Sequence, residues 1–432
     1  MTTQFTHRRQ ELATAIKAGI AVIPTATEAI RNRDAHFPYR FDSYFHYLTG
    51  FDEPESVVVV IGGEPSRSIL FCRAKSEERE TWDGFRHGPE AARSQFHFDD
   101  AFAIDEIDTI LPQLIENKNT IFTSIGFEPN WDKKITSWLN KTRSRAREGI
   151  AAPASLVDVR EILDEMRLIK DAEELDIMRQ AAKISAEAHI RAMTATTPGK
   201  YEYEVEAELL YHFKKNGSQF PAYTSIVAGG RNACVLHYIE NNAVLNDGDL
   251  LLIDAGCELD GYASDITRTF PVNGKFSGPQ KAIYELVLDA QRAAIEATSR
   301  GNSWQAPHDA ATKVLAQGFI DLKLCHGSLD KVLEKREYLK YYMHRTGHWL
   351  GRDVHDVGNY KSDGQWRNLE PGMVLTIEPG CYIRSAPDIP EQFWNIGIRI
   401  EDDAIVKHDS GCEIITSGAP KTIKDIELLM SA

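Results

Sequence analysis

The sequence is short of cysteine, of cationic charge and of long apolar runs. Six cysteines (Cys72, Cys234, Cys257, Cys325, Cys381 and Cys412) are scattered through 432 residues with no C-x-x-C pair. That spacing argues against a disulfide framework or a thiolate zinc knot and fits reduced, packed thiols in the cytoplasm. Lys and Arg number 49 against 64 Asp and Glu, a net charge of −15. A surplus of that sign argues against a nucleic-acid or anionic-membrane partner and leaves acidic clusters free to bind cations. The longest apolar run, Val57 to Ile61, is far short of the roughly 20 residues that span a bilayer. The opening MTTQFTHRRQEL carries charge but no apolar segment, so no secretory signal and a cytoplasmic location are expected.

What is present is ordinary for a globular enzyme: 42% hydrophobic and 26% charged residues, in a chain too long for one core. Residues 7–18 read as helix, and Ala21 to Ile23 as a short strand stopped by Pro24. SVVVVIGG and SILFC then read as successive strands. A strand at 120–124 and helices near 76–81, 105–116 and 129–141 continue the alternation. That rhythm predicts an α/β layer domain ending near residue 165, and the domain ranges are set at 1–168 and 169–432. The basic loop KTRSRAREG lies at the join. Beyond it, Asp171 and Glu174 form a capping-box pattern, and Ile177, Ala181, Ile184 and Ala188 trace one helical face. Further helices are expected at 201–216, 279–299 and 307–322. Strands are expected at 223–229, 249–257, 262–270, 373–384 and 395–407. Helices followed by hairpins, twice over, suggest a weak internal duplication.

The chemistry centres on LLLIDAGCELDGYASDITRTF, residues 250–270. Folded as a hairpin, it brings Asp254 and Asp265 to one face. An acid directly after four apolar residues needs a positive partner, because burying an unpaired charge costs several kcal/mol. Later segments add His344, His348 and His355 in YYMHRTGHWLGRDVHDVG, Glu378 in VLTIEPGCYI, and Arg399 with Glu401 in NIGIRIEDD. The H-x-x-x-H spacing lacks the Glu of a zincin helix, and Gly347 and Gly351 oppose a regular helix there. Asp254, Asp265, Glu378 and Glu401 together bring about four negative charges, which two divalent cations would neutralise. Oxygen-rich ligation with one imidazole favours Mn²⁺ ahead of Co²⁺, Zn²⁺ or Fe²⁺. The residues themselves therefore point to dinuclear metal-assisted hydrolysis.

Taken in order, these segments resemble the active-site motifs of the pita-bread metallopeptidases, and the whole chain resembles aminopeptidase P. AGGRNACVLHYIEN adds a further match, and FPYRFDSYFHYLTGFDEPES resembles that family's N-terminal signature. The resemblance implies an α/β N-terminal domain followed by an α+β pita-bread catalytic domain. It implies Asp254, Asp265, His348, Glu378 and Glu401 as metal ligands, with Asp265 and Glu401 bridging. His237, His355 and Arg399 join Glu378 as implied catalytic residues, and Tyr223, Tyr382, Trp82 and Arg147 as substrate-binding ones. His344 is read as structural. The implied substrates are peptides with proline at position two, cut after the first residue by a homodimer or homotetramer. The rivals are an Xaa-Pro dipeptidase and a metal-free or non-catalytic pita-bread protein; the latter predicts gaps in a ligand set that is filled here. One departure stands out. Arg352 occupies a place expected to be apolar, and a changed pocket wall or substrate length preference is the expectation.

Overall fold

The computed structural model describes residues 2–431 and divides into two units after Met166. The first is built on a six-stranded sheet in the order Asp100–Ala103, Arg67–Cys72, Val57–Ile61, Ile20–Pro24, Thr120–Thr123, Ser155–Asp158. The inner pairings, 20–24 with 57–61 and 57–61 with 67–72, are antiparallel, and the outer ones are parallel. The run Val57–Ile61 is buried along its whole length, as expected for a strand covered on both faces. Val58 and Val60 enter one core with Leu12, Ile16 and Phe45. Val57, Val59 and Ile61 enter another with Leu111, Trp131 and Trp138. The α/β class expected for this half is what the chain adopts.

The second unit opens with helix Ala172–Ala195, started by the expected capping box: Asp171 Oδ1 accepts from Glu174 N and Glu174 Oε2 from Asp171 N, both at 3.0 Å. Helix Glu202–Lys215 follows, then an antiparallel sheet of Ile226–Gly229, Leu250–Asp254 and Thr267–Pro271. Helices Gly278–Ala297 and Ala306–Asp321 lead to a second set of strands. In it Val374–Ile377 pairs with Asp402–Val406 and Gly380–Ile383 with Ile396–Arg399.

The long hairpins expected from the sequence are interrupted. The strand expected over 249–257 is two, Leu250–Asp254 and Cys257–Leu259, in different sheets, and its partner divides into Tyr262–Ala263 and Thr267–Pro271. The strands expected at 373–384 and 395–407 break likewise at Glu378–Pro379 and Ile400–Glu401. The expected 223–229 strand begins only at Ile226. Gly256 explains the first break: a Cβ there would lie 1.7 Å from the Ser264 carbonyl oxygen, so only glycine allows the two backbones to cross. At the other breaks the amides bond outside their own ladder, Glu378 N to Thr346 O (2.8 Å) and Glu401 N to Thr267 O (3.1 Å). Asp254 ends its strand, while Asp265, Glu378 and Glu401 each occupy a gap, where a side chain is free to leave the pleat.

Candidate metal centre

These interruptions deliver the acids to one cavity of about 790 Å³, whose lining includes Asp254, Asp265, His348, Glu378, Arg399 and Glu401. One ligand atom each from Asp265, His348 and Glu401 lies within 4.8 Å of the others. His348 Nδ1–H donates to its neighbour's carbonyl, Trp349 O (2.8 Å). That bond leaves Nε2 facing inward, 3.3 Å from Asp265 Oδ2 and 3.9 Å from Glu378 Oε1. On the other side Arg399 Nη2 donates to Asp254 Oδ2 (2.5 Å) and Nη1 to Tyr382 Oη (2.9 Å). Thr267 Oγ1 accepts from Arg399 Nε (3.1 Å) and donates to Glu401 Oε2 (2.6 Å). The register explains the meeting, since Thr267 stands directly across from Asp254.

Tyr223 Oη lies 2.6 Å from Asp254 Oδ1 and 2.5 Å from Asp265 Oδ1. A phenol has one proton to give, so two ionised carboxylates at those distances need a further positive partner. The protonation equilibria carry the same message. Burial pushes Glu378 up to about 7, with His348 and Arg399 opposing and Asp265 and Asp254 reinforcing. Glu401 is driven well above the carboxylate range by burial and by the other three acids. Burial also raises Asp254 against the pull of Arg399. Only Asp265 is lowered: burial opposes its charge, but the hydrogen bond and charge of His348 outweigh that. His348 is correspondingly raised to about 9 despite its burial. Four acids facing one guanidinium and one imidazole form an under-neutralised cluster, and its oxygen-rich donor set fits divalent cations.

The remaining predicted residues divide by position. His237 and His355 line the cavity, and the His355 ring packs edge-on at 4.3 Å from His348. Tyr223 lines it too, whereas Tyr382 is buried behind Arg399. Trp82 and Arg147 belong to the first unit; Trp82 is 80% exposed, and the lining comes wholly from the second unit. His344, read as structural, stands in the cavity wall, its Nε2 2.9 Å from Tyr382 Oη. Burial, with help from Arg399, lowers it to about 3 and keeps it neutral. Arg352 is not among the residues that line the cavity. It is 3% exposed, with its guanidinium 4.4 Å over the Tyr262 ring, because the Ala263 N to Gly351 O bond (2.8 Å) turns that segment inward. Sequence reasoning missed Thr267 and the aromatic wall of Trp304, Tyr360 and Trp366. Thr267 had a signal, its cross-strand register with Asp254; the aromatics, drawn from a turn, a bend and the short strand Gln365–Trp366, had none.

The family profile for metallopeptidase family M24 matches residues 176–408, and that for the aminopeptidase P N-terminal domain matches residues 5–122. The chain belongs to metallopeptidase family M24. It is an aminopeptidase P-type member, with an N-terminal α/β domain and a pita-bread catalytic domain. It is 45% identical over 430 residues to an Xaa-Pro aminopeptidase of Haemophilus influenzae, covering 99% of this chain and 97% of that protein. The Xaa-Pro aminopeptidase of Escherichia coli is 41% identical, with 99% and 98% covered. Among solved structures, the Pseudomonas aeruginosa aminopeptidase PepP superposes with a TM-score of 0.98 at 49% identity, covering 100% of this chain and 98% of that one. A glutamate-to-alanine variant of Escherichia coli aminopeptidase P in complex with substrate gives 0.97 at 41%, with 100% and 98% covered. These M24 proteins share the whole length of the chain, both units included.

Proposed function

We propose that this M24 peptidase hydrolyses the bond between the N-terminal residue of a peptide and a proline at position two. The observation that carries it is the meeting of Asp265, His348 and Glu401 beside Glu378 in one cavity, in a chain whose relatives are Xaa-Pro aminopeptidases. Asp254, Asp265, His348, Glu378 and Glu401 are the proposed ligands of two divalent cations, Mn²⁺ ahead of Co²⁺, Zn²⁺ or Fe²⁺. Such cations, when bound, acidify a water and polarise the scissile carbonyl.

The chain's own groups do the rest. Glu378 takes the proton of the attacking water on its carboxylate and returns it to the departing proline nitrogen. His237 donates to the carbonyl oxygen as charge develops there, and His355, beside His348, contacts the substrate. Arg399 fixes Asp254 and Tyr382. The substrate's free α-amino group is held among the acids, which sets the cut at the first bond. Proline has no N–H to donate, so recognition rests on the apolar lining around Ile226, Leu236 and Val354. Trp82 and Arg147 are proposed to meet substrate from the N-terminal domain, in a homodimer or homotetramer located in the cytoplasm. No helix among the described residues is long and apolar enough to cross a membrane. The proposed domain ranges, 1–168 and 169–432, are supported by the division after Met166.

A peptide panel with and without Mn²⁺ tests this reading by mass spectrometry. Release of Xaa from Xaa-Pro-Yaa-Zaa, and none from the Xaa-Ala analogue, is expected. Cleavage of Xaa-Pro dipeptides alone identifies a dipeptidase instead, and no cleavage of either overturns the proposal.

A further inference from the structure

Glu202, the first residue of helix Glu202–Lys215, is completely buried, yet it lies outside the acidic cluster. Its carboxylate collects four hydrogen bonds from the segment 229–243. Oε1 accepts from Gly229 N (2.7 Å) and Asn232 Nδ2 (3.1 Å). Oε2 accepts from Tyr238 Oη (2.8 Å) and Ala243 N (2.8 Å). Its own amide donates to Ala243 O (3.0 Å) and completes the ring of contacts. A helix N-terminus suits a buried negative charge, and four donors satisfy most of its lone pairs.

The clasped segment carries Leu236, His237 and Ile239 into the cavity lining. Around that tip Val235 is 45% and Ile239 54% exposed, while Leu236 and Tyr238 pack against Ile226, Ala228, Leu252 and Tyr382. Arg384 holds Cys234 O (3.0 Å) on one side, and Asn241 ties back to Val227 N (3.0 Å) and Ser225 O (2.9 Å) on the other. Between those anchors, Tyr238 Oη on Glu202 is the tie nearest His237. We propose that Glu202 is a positioning residue that sets the place of His237, and with it the alignment of the scissile carbonyl. This rests on the role assigned above to His237.

The test compares E202Q and Y238F with wild type. The glutamine presents an amide NH₂ to two donors and breaks half the clasp, whereas the phenylalanine removes one tie and spares the fold. E202Q is expected to lower kcat/KM for an Xaa-Pro-Yaa-Zaa peptide between about tenfold and about 100-fold, mostly in kcat. Y238F should lose less, and both should keep wild-type Mn²⁺ content. The deciding readout is a double-mutant cycle with H237A, in which E202Q should cost nothing further once the imidazole is gone. Additive losses, or wild-type kcat/KM in both single variants, would overturn the proposal. Hydrogen exchange over 229–243 needs no substrate and should accelerate in both variants. Unchanged exchange refutes the clasp itself, whereas an inactive wild type with accelerated variant exchange refutes the peptidase reading and leaves the clasp standing.

Discussion

Replacing Gly256 with alanine tests whether the crossing of two backbones is what delivers Asp265 to the site. A Cβ added there lies 1.7 Å from Ser264 O, where ordinary contact begins at 3.4 Å. The obstacle is backbone, so the strands must part by roughly 1.7 Å in a close-packed interior. Two hydrogen bonds span the crossing, Ala255 N to Ile266 O (3.2 Å) and Ser264 N to Cys257 O (3.0 Å). Their weakening, added to the overpacking, costs about 3 kcal/mol. The displacement also carries Asp265, the next residue, away from His348 Nε2. Urea unfolding should therefore show the stability loss, and calorimetric Mn²⁺ titration a weakened affinity. Gly278 is the control: nothing lies within 4 Å of its added Cβ, so Gly278→Ala should stay within about 1 kcal/mol of wild type. A Gly256→Ala protein matching that control in both measurements would refute the argument.

Glu378→Gln should lower kcat on an Xaa-Pro-Yaa-Zaa peptide by about 10²- to 10⁴-fold with the melting temperature little changed; full turnover would remove Glu378 from the proton path. Asp254→Ala should fold yet lose both activity and bound metal, checked by circular dichroism beside metal analysis. Asp356→Asn should destabilise the protein by about 3–5 kcal/mol at neutral pH, because Asp356 is buried between Arg167 Nη2 (2.6 Å) and Lys170 Nζ (2.9 Å). Burial opposes the Asp356 charge, but Lys170 and Arg167 hold its pKa below the usual range. Its stabilisation is thus present above the unfolded pKa of about 3.9 and lost as pH falls through the lower native value. Urea unfolding of the two proteins should converge over that acid window, and a gap independent of pH would contradict the assignment.

Asp254 and Glu378 were legible because each closes a largely apolar run, Leu250–Ile253 and Val374–Ile377, and Glu401 because it shares a strand face with Arg399. The four valines of residues 57–60 likewise disclosed a strand. The breaks were not legible. Apolar residues flank Gly256, so local pattern favours an unbroken strand there, and only the crossing at Ser264 shows why it stops. The place of His344 in the cavity wall was not legible, because its partners, Tyr382 and Glu378, lie more than 30 residues away. The place of Arg352 was not legible, because a charged residue in an expected apolar position suggests a pocket, whereas its side chain lies buried over Tyr262.

The most direct test is calorimetric titration of chelator-stripped protein with Mn²⁺, run beside Asp265→Ala and Glu401→Ala. Two ions per wild-type chain are expected, with the stoichiometry falling in both variants. A wild-type protein that binds no divalent cation, or variants that still bind two, would contradict the claim that these acids converge to hold metal.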